Sequence, residues 1–153
     1  METSEVSEGC RHMPEPGHKL SSVSAFFPCY NDAGTIPTMI IRALQALEEV
    51  ADDYEVIVIN DGSKDDSARI LDELARHYTQ VRVIHRSEPS GYGGVLRAGF
   101  AEAGKDWIFY TDGDAQYDAR ELVDLARAVT DGVDVVNGYK LKRRDPLHRV
   151  LVG

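Results

Sequence analysis

The sequence predicts an α/β protein built on a doubly wound, mostly parallel sheet, and three observations predict it. Short apolar runs of strand length alternate with longer stretches whose apolar residues recur every three or four positions. The run Glu55-Val-Ile-Val-Ile59 is apolar without alternation, as a strand is when both faces of its sheet are covered. Acidic, polar and glycine residues gather just after each strand, at the edge where open α/β sheets bind ligands.

Val23 to Phe27 reads as the buried first strand, stopped by Pro28. Ile36, Met39, Ile40, Ala43, Leu44 and Leu47 form one face of the first helix. Thr35 is placed to cap it, and Pro37 suits the first turn, where a missing N–H costs nothing. After the second strand at Glu55 to Ile59, a helix starts at Asp65 or Asp66 and turns Ile70, Leu71, Leu74, Ala75 and Tyr78 inward. Val81 to Ile84 is the third strand, and Gly91 to Gly94 leads into a helix through Ala103. Trp107 to Tyr110 is the fourth strand. Asp118 with Glu121 makes a capping-box-like start to a helix over Ala119 to Val129, and Val133 to Val136 is the fifth strand. Strands and helices in strict alternation mean right-handed crossovers and a parallel sheet.

At 153 residues there is room for one core. A composition of 42% hydrophobic and 28% charged residues excludes disorder, collagen and membrane spans as descriptions of the whole chain. No apolar run approaches the ~20 residues of a membrane-crossing helix. Seventeen Lys and Arg against 26 Asp and Glu leave a charge of −9, which argues against general nucleic-acid binding. That charge is uneven: Tyr139 to Gly153 holds five basic residues and one acid, a local +4 against −13 for the rest, and suggests a specific anionic partner. Cys10 and Cys29 form no CxxC pair, and point to a reducing cytosol rather than to disulfides or zinc. Residues 1–22, rich in Glu, Ser, Pro and Gly, contain no secretory h-region and read as a mobile tail, with Cys10, His12 and His18 on its surface. Residues 23–153 form the single domain.

Asp112-Gly113-Asp114, after the fourth strand, is the sharpest chemical signal. Two carboxylates so close in a low-dielectric crevice need a cation or a proton between them. A hard divalent ion accepts such oxygens and bridges them to phosphates, and Gln116 adds a neutral oxygen. An acidic turn in which Asp114 or Asp118 caps a helix reads the same residues without a ligand. Asp61-Gly62-Ser63 has the same two readings, as acceptor for a nucleobase N–H or ribose hydroxyl, or as a tight turn. Gly91-Tyr-Gly-Gly94 lets backbone approach a phosphate closely. It departs from the dinucleotide fingerprint at Leu96, however, and follows the third strand rather than the first. His77, His85 and His148 have no identifiable partner and read as structural. No residue order suggests a nucleophilic triad, and no P-loop lysine follows a glycine loop.

Taken together, Phe27 to Asn31, Val58 to Ser63 with Asp66, Gly91 to Gly99 and Thr111 to Asp118 resemble the donor-binding half of a family 2 glycosyltransferase. The resemblance runs from about Ser22 to the end, and the Asp-Gly-Asp-x-Gln-Tyr-Asp form is most similar to enzymes that load a sugar onto a polyprenyl phosphate. It implies a GT-A (Rossmann-like) doubly wound sheet, truncated after the fifth strand where relatives continue into an acceptor-binding half. By the same resemblance Pro28, Tyr30 and Asp32 line the nucleotide pocket with Gly91, Asp32 standing where the family usually has Glu. Asp61 contacts the base or ribose; Asn60 replaces an Asp often seen beside it, which leaves open which of the two does so. Asp112 and Asp114 are the implied catalytic residues and, with Gln116, hold Mg²⁺ or Mn²⁺ against the diphosphate. Lys140 sits where relatives often place an Arg near the donor phosphates, and Tyr92 where they often have Lys.

The implied activity is inverting, metal-assisted transfer of a hexose from a GDP- or UDP-linked sugar to polyprenyl phosphate, in cell-envelope glycan synthesis. The implied place is the cytoplasm, at the cytoplasmic face of a membrane, with no nucleic-acid partner. Metal and a basic residue neutralise the leaving diphosphate, and an acceptor phosphate is already an anionic nucleophile. Two rival readings remain. A haloacid-dehalogenase-type phosphohydrolase also places Asp-x-Asp after an apolar strand, but after the first strand and with Thr or Val where Gln116 stands. The other is a nucleotide-sugar-binding fragment without catalysis.

Overall fold

The longest apolar runs of the chain lie side by side at its centre. In the computed structural model, which describes residues 19–111 and 121–138, β1 (Leu20–Cys29) and β2 (Ala51–Asp61) pair in parallel from Leu20↔Ala51 to Cys29↔Asn60. β3 (Val81–Arg86) adds to the far side of β2, and β4 (Trp107–Tyr110) to the far side of β1. All pairs are parallel and the order is β3-β2-β1-β4. The helices are α1 (Ile36–Val50), α2 (Ser67–His77), α3 (Tyr92–Glu102) and α4 (Glu121–Arg127).

Alternation along the central strands supplies two apolar faces. Ala25, Phe27, Val56 and Val58 face a core closed by Ile36, Ile40 and Leu47 of α1, Leu71 of α2 and Leu122 of α4. Phe26, Ile57 and Ile59 face the opposite side, where Val95 of α3 covers them. Each fully buried side chain of this size stabilises the fold by roughly 1.5–3 kcal/mol. The chain thus builds outward from β1 to β3 with helices on one face, then returns across the other face through α3 to place β4. Strand order therefore reverses between β1 and β4, and such a switch point opens a crevice at the carboxyl ends of the strands.

Several expectations are corrected. The first strand begins at Leu20, so Leu20 to Ser22 belong to the sheet rather than to the tail, whose first 18 residues lie outside the described ones. It also runs through Pro28. The β4 ladder has ended by then, at Phe26↔Tyr110, so among the described residues β1 has no partner on that side, where a strand tolerates proline. Thr35 makes no side-chain cap; its hydroxyl turns back to the Asp32 carbonyl, 3.5 Å away. Tyr78 follows the end of α2 and is exposed. Residues 133–136 form no strand, and Val135 is 80% exposed. These four residues pair with no strand, so the sheet has four strands among the described residues. Asp118 and the start expected for the fourth helix lie outside the described residues.

Candidate functional site

All four strands end at the same edge, and the loops leaving β1 and β2 are laced together there. Asn31 takes a left-handed backbone (φ 55°), which Asn tolerates better than most residues. Its N–H donates to Ser63 Oγ at 3.0 Å, and its own Oδ1 accepts from the Lys64 N–H at 2.7 Å. The Asp32 N–H donates to Ser67 Oγ (3.1 Å) and the Ala33 N–H to Asp65 Oδ2 (3.1 Å). The hydrogen bond from Ser67, with backbone N–H groups of Ala33 and Ser67, holds the Asp65 carboxyl below the usual carboxylate range. Asp32 spends its carbonyl on the Thr35 and Ile36 N–H groups, and its carboxylate accepts the Tyr30 N–H at 3.4 Å. The Tyr30 ring stands exposed beside it. Burial pushes the Cys29 thiol up, against a hydrogen bond with Ser67.

The neighbours Asn60 and Asp61 point to opposite faces of β2. Asn60, 3% exposed, faces the α1–α2 layer. Its Oδ1 accepts the Ser63 N–H at 3.2 Å, and its Nδ2 lies 2.9 Å from His85 Nδ1. The other nitrogen of His85 lies 3.0 Å from Asp72 Oδ1, so the Nε2–H tautomer completes a chain Asn60–His85–Asp72. His85 therefore has partners on both sides, which the sequence did not disclose. Asp61, 5% exposed, faces α3. Its carboxylate accepts the Ser90 N–H (2.9 and 3.0 Å), the Ser90 hydroxyl (3.0 Å) and the Gly91 N–H (3.1 Å), and meets Arg86 Nε at 3.6 Å. Two glycines make this possible. Gly62 turns the chain after β2 at φ +74° with Pro89 against it, and Gly91 enters α3 at φ +72°.

Of the residues expected at the site, Pro28, Tyr30, Asp32, Asn60, Asp61 and Gly91 thus meet at one edge of the sheet. Asp112, Asp114, Gln116 and Lys140 lie outside the described residues. Among the described residues there is no cluster of three or more potential metal-binding side chains. Sequence reasoning placed Asn31, Ser63 and Arg86 just after their strands without giving them a role, and missed Ser67 and Ser90. Their signal was weak: short polar residues in the loops after strands, of the kind that tie loop backbone locally.

The family profile of glycosyl transferase family 2 matches residues 24–148. The chain belongs to this family. Among curated relatives, the undecaprenyl-phosphate 4-deoxy-4-formamido-L-arabinose transferase of Proteus mirabilis is 30% identical over 132 residues, covering 86% of this chain and 40% of the relative. The enzyme of that name from Pectobacterium carotovorum is 32% identical over 136 residues, covering 86% and 41%. The chain thus spans about 40% of the length of these relatives. Among solved structures, a mannosyltransferase from Pyrobaculum calidifontis, in complex with GDP-Man and Mn²⁺, superposes with a TM-score of 0.66. It is 22% identical, over 78% of this chain and 35% of its own. S. aureus TarS 1-349 in complex with UDP superposes at 0.56 with 22% identity, over 69% and 31%. These likenesses establish the GT-A fold for the family 2 domain. Family membership sets the phosphohydrolase reading aside, in keeping with an Asp-x-Asp that follows the fourth strand.

Proposed function

We propose that this domain is the donor-binding part of a transferase that moves a sugar from a GDP- or UDP-linked donor to a polyprenyl phosphate. The observation that carries the reading is the family match across the crevice, together with relatives named for undecaprenyl-phosphate sugar transfer. Pro28, Tyr30, Asp32, Asp61 and Gly91 would receive the nucleotide. Asn60, its amide already spent on Ser63 and His85, supports the turn from behind. The sugar is proposed as a hexose; relatives named for a formamido-arabinose make a modified pentose the second donor to test.

Asp112, Asp114 and Gln116 follow β4 in the sequence and offer oxygen donors, the set a hard cation takes. They would hold Mg²⁺ or Mn²⁺, which when bound neutralises charge on the departing diphosphate. Lys140 is proposed to add a second positive charge there. The protein's own part is to fix the nucleotide and orient the sugar for attack by the acceptor phosphate from the opposite face, hence inversion. Among the described residues no helix is long and apolar enough to cross a membrane; the basic segment 139–153 would meet the anionic acceptor at a cytoplasmic membrane surface. The division into an amino-terminal tail, residues 1–22 by the sequence reading, and one domain beyond it belongs to the same proposal, with the domain's first strand starting at Leu20.

Calorimetry with GDP and UDP, in Mn²⁺ and in chelator, tests the binding step. Metal should tighten binding by at least about tenfold, and Asp114→Ala should abolish that gain. Equal affinity in both conditions for wild type and variant refutes the metal role. Release of nucleoside diphosphate that depends on added polyprenyl phosphate tests the transfer; its absence leaves a binding fragment.

A further inference from the structure

We propose that His85 is a pH-dependent latch on the crevice loops: with one proton, on Nε2, it lets Asn60 hold the turn at Ser63, and a second proton, on Nδ1, turns the Asn60 amide over and releases that turn. His85 stands directly opposite Asn60 in the β2–β3 register. The Ser63 N–H, 3.2 Å from Asn60 Oδ1, can only donate, so it fixes which end of the Asn60 amide faces it. The amide nitrogen is thereby aimed at His85 Nδ1, 2.9 Å away, which must accept. Only an imidazole protonated at Nε2 alone does so, and that N–H meets Asp72 Oδ1 at 3.0 Å. A single backbone N–H in the β2 loop thus sets the tautomer of a histidine on the next strand.

A second proton reverses one link of this chain. Nδ1–H then faces the Asn60 amide N–H, two donors with no acceptor between them. Turning the amide over offers Oδ1 to the imidazolium, a charge-assisted bond roughly twice as strong as a neutral one. What is given up is a neutral bond at 3.2 Å to a half-buried turn, whose N–H can go to water. The release spreads, because Ser63 Oγ holds the Asn31 N–H and Asn31 Oδ1 holds the Lys64 N–H. His85 is 37% exposed, so protons reach it, and Asp72 on α2 accepts from Nε2–H in either state. Elsewhere on α2, Arg76 is turned to the Asp72 carbonyl, and Arg69 to Asp66 and Glu73. In the loop after β2, Lys64 follows Ser63, and Asp65 is spent on Ala33 and Ser67. Asp61 and Arg86 pair with each other, and Arg82 with Glu55 and Glu102, on the opposite face of the sheet.

NMR of the ¹⁵N-labelled chain, with no ligand added, tests the proposal from about pH 8 to about pH 5, the range in which histidine takes up a proton. At the upper end His85 should carry its proton on Nε2 and none on Nδ1. As His85 titrates, protection of the Ser63 N–H against solvent exchange should fall by about tenfold. In Asn60→Asp a carboxylate offers an acceptor to each partner, so Ser63 should keep its protection throughout. His85→Gln, uncharged at every pH, should likewise remove the pH dependence, and it carries the test if urea midpoints show that Asn60→Asp does not fold. A proton on Nδ1 at the upper end overturns the proposal, as does constant protection of Ser63 in wild type. An equal fall in wild type and His85→Gln also overturns it, since another group would then be responsible.

Discussion

Gly99→Ala should destabilise the domain although alanine is the better helix former. Gly99 lies in α3 against the ring of Phe26, and a Cβ built on it would stand 2.7 Å from Cγ of that ring and closer still to Cδ2 and Cε2. Ordinary carbon contacts begin near ~3.5 Å, so the ring must move by about an ångström. It has nowhere to go. Phe26 is fully buried, with Phe100 edge-on at 5.0 Å and Tyr110 stacked at 5.4 Å. Overpacking of this kind costs roughly 1–3 kcal/mol, and three ring atoms in conflict put it at the upper end. The gain in helix propensity returns about 1 kcal/mol. The net expectation is a loss of about 2 kcal/mol, a fall in Tm of roughly 4–8 °C for a chain of this size. Urea denaturation of wild type, Gly99→Ala, Phe26→Leu and the double variant measures it. The double variant should lose less than the sum of the singles, because the smaller side chain opens the space alanine needs. A Gly99→Ala protein as stable as wild type refutes the close packing of α3 on β1.

Asn31→Ala should cost about 2 kcal/mol in the same assay, from the left-handed backbone and the lost acceptor for the Lys64 N–H, whereas Asn31→Gly should cost only about half as much. Equal stabilities would refute the lacing of the β1 and β2 loops. Acid should loosen the amino-terminal edge of the sheet. Hydrogen bonds from Ser21 and Ser22 hold the Asp106 carboxyl below its ordinary value. For Glu55, burial pushes upward but is outweighed by Ser24, Gly104, Arg82 and Lys105. Carboxyls depressed in the folded state bind protons more readily when unfolded, so their stabilisation is complete above about pH 4–4.5 and is lost as pH falls through the folded values. Urea midpoints from pH 7 to 3 should fall less steeply for Asp106→Asn than for wild type; parallel slopes refute the assignment.

The main elements were legible because burial writes a periodic signal into the chain. Glu55 to Ile59 and Trp107 to Tyr110 are strands in the sequence pattern and in the structure alike; the first hides a run apolar on both faces, while the second, next to β1, leaves Ile108 and Tyr110 exposed. The first helix is equally plain from Ile36 to Leu47. The candidate site was legible only as positions after strands, because polar residues carry no period. Val133 to Val136 has strand-like residues but no ladder partner among the described residues, and pairing is not a local property.

By itself the sequence determined the α/β class, the parallel sheet and the edge at which the chemistry gathers. These follow from how apolar residues are spaced along one chain. Only the tertiary structure decided what those residues touch. Asn60 and Asp61 are adjacent in sequence, yet one is spent on Ser63 and His85 and the other on Ser90, Gly91 and Arg86, because alternation sends neighbours to opposite layers. His85 and Ser90 stand 25 and 29 residues away from those partners. Contacts at such separations are set by strand order and crossover face, which form only when the whole sheet assembles.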